Sequence, residues 1–233
     1  MTESVATVLI PGLLTSPRLY AAQLPQLWKF GPVMIADNTR DDTMFAIAQR
    51  VLAAAPSRFA LVGLSMGGHI AFEIMRQAPE RVAKLALLDT TARADIPEQS
   101  ELRRSQSALA QSGRFEELHA LLLPSLVHRD RQNDTELSDV VRLMMQEVGP
   151  EGFLRQQNAI INRADSRPTL ARIHCPTMVL VGDADMMTPP DRSVEIVNGI
   201  DTAHLVVVPD CGHLSTLEQP EQVTQALAEW MRA

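Results

Sequence analysis

The chain of 233 residues reads as an α/β protein, a mainly parallel six-stranded sheet flanked by helices and interrupted by a long helical insertion. Three observations predict this class. Short, β-branched apolar runs alternate with longer stretches of helical spacing, the pattern of strands joined by crossover helices. Several of the apolar runs stop abruptly in glycine-containing or acidic loops. Residues 95–165 break the alternation, with polar-rich amphipathic helical patterns and no convincing strand.

Taken in order, the apolar runs place strands near 5–10, 32–36, 58–62, 84–88, 177–182 and 204–208. Helical spacing predicts helices over about 17–29, 42–54, 66–77, 191–198 and 220–231, the last opening on Pro220, a residue suited to a first helical turn. Within the insertion, helices are expected at 97–111, 114–125, 135–148 and 150–163. The core is therefore expected from 1–94 and 166–233, with 95–165 set into it.

Composition narrows the function classes. One domain fits this length, and 45% hydrophobic residues can build a substantial core. A net charge of −7, no basic stripe and a single Tyr argue against nucleic acid or an anionic membrane surface as partner. The Met-Thr-Glu-Ser start lacks a positive n-region, and Val8 to Ile10 is far too short for a signal peptide or span, so a cytoplasmic location is expected. Cys175 and Cys211 are expected to be reduced. No histidines or cysteines sit at metal-ligand spacing, and the glycines at 63, 67 and 68 lack the lysine of a phosphate loop, so neither a metal nor a cofactor is expected. The expected partner is a small-molecule substrate.

The most informative stretch is Leu-Val-Gly-Leu-Ser-Met-Gly-Gly, residues 61–68. It sets Ser65 in Gly-x-Ser-x-Gly between the strand-like Phe59–Val62 and a helix with Ile70, Ala71, Ile74 and Met75 on one face. A strand that turns sharply into a helix forces its turn residue into a strained conformation and leaves no room for side chains at Gly63 and Gly67. Ser65 would then stand at the carboxyl edge of the sheet. A hydroxyl there needs a base and an orienting acid. The run Thr177–Val181 ends in Gly182-Asp183-Ala184-Asp185, and Leu205–Val208 ends in Pro209-Asp210-Cys211-Gly212-His213. The serine, acid, histidine order matches that of one known fold and not the orders of chymotrypsin or subtilisin. His69, His119, His128, His174 and His204 read as structural or solvated, although the helix of His69 begins at the serine.

The elbow, Ala-Pro-Glu-Arg-Val at 78–82, Gly-x-x-Asp-x-x-x-Pro at 182–189 and Gly-His-x-x-x-x-Glu-x-Pro at 212–220 together resemble the α/β-hydrolase superfamily, in its esterase, lactonase and carbon–carbon hydrolase group. The resemblance implies Ser65 as nucleophile, His213 as base and Asp185, rather than Asp183, as acid. It implies an oxyanion hole from the main-chain N–H groups of Met66 and Leu13. Pro11-Gly12 stands where relatives usually have His-Gly, and Asp37-Asn38-Thr39-Arg40 where they often have a glycine-rich stretch. It also implies that 95–165 is a helical cap over the catalytic edge, with Leu14, Met144, Met145, Phe153, Met186 and Leu214 as candidate substrate contacts and Leu122 and Leu126 as further lining. The expected reaction is hydrolysis of a small to medium carboxylic ester through an acyl-enzyme. Carbon–carbon or enol-lactone hydrolysis by the same triad is the alternative, for which Arg18, Arg40, Arg155 and Asn158 could bind acidic groups. A ligand-binding protein without turnover is a third reading.

Overall fold

The computed structural model describes residues 4–233. Strands β1 (Ala6–Ile10), β2 (Val33–Ile35), β3 (Phe59–Leu64), β4 (Val82–Leu88), β5 (Thr177–Gly182) and β6 (Ala203–Val208) form one sheet in the order β2-β1-β3-β4-β5-β6. Every neighbouring pair is parallel. The helices are α1 (Leu24–Leu27), α2 (Met44–Ala54), α3 (Met66–Gln77), α4 (Pro97–Gln111), α5 (Glu117–Leu126), α6 (Thr135–Ile161), α7 (Arg167–Leu170), α8 (Pro190–Gly199), α9 (Ser215–Glu218) and α10 (Pro220–Arg232). No helix among the described residues is long and apolar enough to cross a membrane.

Parallel strands must be covered on both faces, and β3 and β5 are buried at every position. Alternate residues serve opposite layers. Leu9, Val62, Leu64, Ala86, Leu88 and Leu180 join one apolar cluster with Leu27 of α1 and Leu227 and Trp230 of α10. Val8, Ile10, Leu61, Leu85, Leu87 and Val179 join the other, with Ile47 of α2, Ile70 and Ile74 of α3 and Ile196 of α8. The insertion adds mostly to the first cluster, through Leu118, Val141, Met144 and Phe153.

This strand order reverses direction between β1 and β3, since β2 lies on one side of β1 and everything later on the other. Ligands of open parallel sheets bind at that crevice, beyond the carboxyl ends of the strands. Ile10 pairs with Gly63, Leu64 with Leu88 and Gly182 with Val208, so the loops after β1, β3, β4, β5 and β6 share one rim.

All six strands fall within two residues of their expected places, and Pro220 opens α10. The helix expected over 17–29 does not form. A 3₁₀ turn at Pro17–Tyr20 and the four-residue α1 replace it, because the Pro25 ring cannot accompany a helix continuing from Ala21. The second helix begins at Met44 rather than 42, capped by the Thr43 hydroxyl, which accepts from the Ala46 N–H. The expected break near 149 is a kink: Gly149 (φ 69°, ψ 170°) precedes Pro150 inside α6. The short helices α7 and α9 fall in stretches with no legible period.

Candidate active site

Ser65 lies between β3 and α3 with φ 55° and ψ −115°, a conformation that L-residues rarely hold without support. Support comes from both sides of its backbone. The Ser65 N–H donates to the Leu88 carbonyl (2.9 Å), and its own carbonyl accepts from the Thr90 hydroxyl (2.8 Å). A Cβ on Gly63 would strike the Gly67 carbonyl, and one on Gly67 would strike that of Ile10. The turn is closed by main chain packed on main chain.

Ser65 Oγ lies 2.9 Å from His213 Nε2, and His213 Nδ1 lies 2.8 Å from Asp185 Oδ2. Asp185 is 3% exposed and His213 2%. Asp185 also accepts from the N–H groups of Met187 (2.8 Å) and Thr188 (2.9 Å) and from the Thr188 hydroxyl (2.7 Å). Burial acts to raise its pKa, but His213 and these donors outweigh it and hold the carboxyl below its usual range. Burial likewise opposes charge on His213, yet the Asp185 carboxylate and its hydrogen bond prevail, so the imidazole protonates more readily than usual. Asp183 points elsewhere and accepts from the Cys211 N–H (3.1 Å), bracing the histidine loop. That loop is pinned again where the N–H groups of His213 and Leu214 donate to the Leu126 carbonyl at the end of α5. The buried Glu218, part of the motif at 212–220, accepts from the N–H groups of His128 (2.6 Å) and Leu214 (3.3 Å).

One carboxylate on this rim escaped the sequence reading. Asp89 follows β4 with φ 45° and no exposed surface. Its Oδ1 accepts from the Gly182 N–H (3.0 Å), at the base of the Asp185 loop, and its Oδ2 lies 2.5 Å from the Ser215 hydroxyl, just past His213. Burial, reinforced by the Asp185 charge, pushes this carboxyl up to about 8. An acidic residue directly after a strand was the signal available in Leu87-Leu88-Asp89.

The loop after β1 faces the elbow. No partner among the described residues takes the main-chain N–H of Leu13 or Met66, and both residues line the cavity beside Ser65. Leu14, at φ 57°, turns its N–H away to Gln156 Oε1 of α6 (3.1 Å). Gln156 donates in turn to Asn38 (2.9 Å), and Asn38 to the Pro11 carbonyl (2.8 Å). The stretch at 37–40 therefore props the loop after β1.

The cavity holds about 50 Å³, and its apolar walls include Leu13, Leu14, Leu122, Leu126, Met145 and Leu214. Three expected contacts lie outside it. Met144 is fully buried in the apolar cluster, because Val141 and Met145, one turn apart on α6, take the face toward the cavity. Phe153 packs against Phe115, ring centroids 6.0 Å apart. Met186 is 69% exposed, and it is its neighbour Met187, itself 38% exposed, that borders the cavity. Arg18 pairs with Glu147 and Arg40 with Asp37, while Arg155 and Asn158 donate to the carbonyls of Thr39 and Asp42. None of the four lines the cavity. Three unexpected polar residues do, Thr15, His69 and Arg103. Burial, then the nearby Arg163 and Arg103 charges, hold His69 well below the ordinary histidine range, so it is neutral.

A six-stranded parallel sheet with a serine elbow at its switch point and a histidine and acid on the following loops defines a class, and sequence comparison gives the same one. The chain matches the profile of the alpha/beta hydrolase family over residues 8–226 and belongs to that family of enzymes. It is 30% identical over 190 residues to the pimeloyl-[acyl-carrier protein] methyl ester esterase of Chromobacterium violaceum, covering 79% of this chain and 74% of that protein. Among solved structures, a thermophilic esterase from Thermogutta terrifontis aligns with a TM-score of 0.89 and 31% identity, over 98% of this chain and 89% of that one. The enol-lactonase of Burkholderia xenovorans LB400 aligns at 0.91 with 23% identity over 99% and 92%, a likeness of fold.

Proposed function

We propose that the protein hydrolyses small to medium carboxylic esters through an acyl-enzyme on Ser65. The observation that carries this reading is the unbroken hydrogen-bonded line from Ser65 Oγ through both ring nitrogens of His213 to Asp185. His213 Nε2 takes the serine proton as Oγ attacks the carbonyl carbon. Asp185 keeps the other nitrogen protonated and stabilises the imidazolium. The oxyanion that forms accepts from the N–H groups of Leu13 and Met66, donors that need no rearrangement. Collapse expels the alcohol, protonated by His213, and a water activated by the same base then releases the acid and restores Ser65. We read residues 95–165 as a cap over the core of 1–94 and 166–233, because Leu122, Leu126 and Met145 roof the cavity and shield it from bulk solvent. A volume of about 50 Å³ has room for roughly four waters, which favours short acyl groups unless the cap moves.

The test is covalent labelling by a fluorophosphonate together with a panel of p-nitrophenyl esters of graded acyl length. Labelling and ester turnover that both vanish in Ser65→Ala support the reading. Labelling that persists in that variant removes Ser65 as nucleophile. Turnover confined to enol-lactones or vinylogous diketones replaces the ester with the alternative substrates, and a protein that neither labels nor turns over is a binding protein on a hydrolase fold.

A further inference from the structure

The insertion is closed at its base by three charged side chains that do not balance. Asp95, at its entry and 2% exposed, pairs through one oxygen with Arg103 of α4 (2.7 Å) and through the other with Arg163, just past α6 (2.7 Å). Two guanidinium groups thus share one carboxylate. The neighbouring acids are engaged elsewhere, Asp165 with Arg167 and Glu195 with Arg93. His69, beside the arginines, is neutral and adds no further positive charge. A surplus of one positive charge is left where desolvation makes an uncompensated charge unfavourable.

The two arginines differ in how they are used. Arg163 donates to the carbonyls of Arg93 and Ile160 as well as to Asp95, so each of its nitrogens is occupied. Arg103 donates through Nε to Asp95 and through Nη1 to Gln157 (3.1 Å), and no partner for its Nη2 is found among the described residues. It is also Arg103 that lines the cavity holding Ser65. Gln157, itself buried and bonded to Gln106, holds the guanidinium in place. A fixed fork with a free edge in a small, largely apolar cavity is what recognises a planar monoanion.

We infer that Arg103 forms an anion subsite, and that the preferred substrates are esters carrying a free carboxylate away from the scissile bond. This rests on the ester-hydrolase reading for the reaction, but the binding does not. A carboxylate would bring the group of two arginines, Asp95 and ligand to neutrality, whereas a dianionic phosphate would overshoot by one buried negative charge.

The experiment compares monoethyl esters of unbranched dicarboxylic acids with ethyl esters of monocarboxylic acids of equal length, following acid release in a pH-stat. Acetyl esters of hydroxy acids, whose free carboxylate sits on the alcohol part, form a third arm, which tells whether the charge rides on the acyl or the alcohol part. Wild type should favour one carboxylate-bearing series over the neutral one. Arg103→Gln should lower that ratio of kcat/KM by about 10- to 100-fold, the range of a charge-assisted hydrogen bond, while Arg103→Lys retains part of it. Equal rates for charged and neutral esters in wild type, or a ratio unmoved in a folded Arg103→Gln, would reduce Arg103 to a clasp on the cap. Calorimetry with the Ser65→Ala protein separates the two readings. Arg103-dependent binding of a dicarboxylate monoester there, without turnover in wild type, keeps the subsite and removes the hydrolase. Neutral esters cleaved with no such binding do the reverse.

Discussion

The two walls of the cavity are built on different principles. The sheet rim carries Ser65, Asp185 and His213 on loops locked by main-chain contacts. Glycines there touch carbonyls, the Ser65 N–H reaches the Leu88 carbonyl, and the His213 N–H reaches that of Leu126. On the other wall, α4 and α6 are attached largely through side chains: Arg103 and Arg163 to Asp95, Gln156 to Asn38 and Leu14, and Phe153 to Phe115. Main-chain locking leaves no room for a side chain at Gly63 or Gly67 and so tolerates few substitutions. Side-chain attachment can be rewritten one residue at a time. The contrast suits a fold in which the chemistry is held constant and the choice of substrate is not.

The largest effect should therefore come from the rim. On the proposed mechanism, Ser65→Ala should lower kcat/KM by about 10⁴- to 10⁶-fold and Asp185→Asn by about 10⁴-fold. Steady-state hydrolysis of a p-nitrophenyl ester measures both, and both proteins should melt within a few degrees of wild type. If Asp185→Asn keeps most of the activity, the acid is misassigned and Asp89 becomes the candidate.

Across the cavity the leading effect should be on stability. Phe153 is buried against Phe115 and does not reach the cavity, so Phe153→Ala should cost about 3–5 kcal/mol of unfolding free energy. Denaturant titration measures it. Selectivity among acyl lengths should change little beside that loss. A variant of undiminished stability with a widened acyl range would return Phe153 to the substrate-binding role that its sequence position suggested.

The contrast also explains what could be read from the chain. The strands, the elbow at Ser65 and the loop positions of Asp185 and His213 leave a strong local imprint, because strand runs and glycine close approach act over a few residues. The cavity contacts on the insertion do not. Met144 and Met145 are adjacent and chemically identical, and only the rotation of α6 decides that the second faces the cavity. Arg103 looks like one charge among many on a polar helix, and its partners Asp95, Gln157 and Arg163 become meaningful only when α4 and α6 are brought together. Gln156 is separated from Leu14 by most of the chain, and no local pattern links them.

Subtler tests lie in the pH dependence of the rim. On the proposed mechanism His213 must be neutral to act as base. Since the Asp185 charge overrides its burial and raises its affinity for a proton, the acid limb of kcat/KM should have its midpoint above the ordinary histidine value of about 6.5. A pH–rate profile with a midpoint below that value would mean that burial wins over the Asp185 charge.

Asp89 offers the finest discrimination. Burial raises its carboxyl to about 8, so the folded state holds a proton that the unfolded chain gives up near the ordinary carboxylate value of about 4. A folded state that binds more protons loses stability as pH rises, here from the ordinary carboxylate range up to the raised value, at no more than about 1.4 kcal/mol per pH unit. His213 acts with the same sign. Its contribution is complete below the ordinary histidine value and is lost as pH rises through the raised one. Asp89→Asn imitates the protonated carboxyl, can still accept from the Gly182 N–H and can donate to Ser215, but cannot titrate. Its melting temperature relative to wild type should therefore climb between pH 5 and pH 8, while the acid limb set by His213 stays in place. A deficit that is constant across that range would mean that Asp89 is ionised in the folded protein, held by its two donors as a fixed negative charge. The tie between the Asp185 and His213 loops would then be ionic, and removing it should slow turnover as well as loosen the fold.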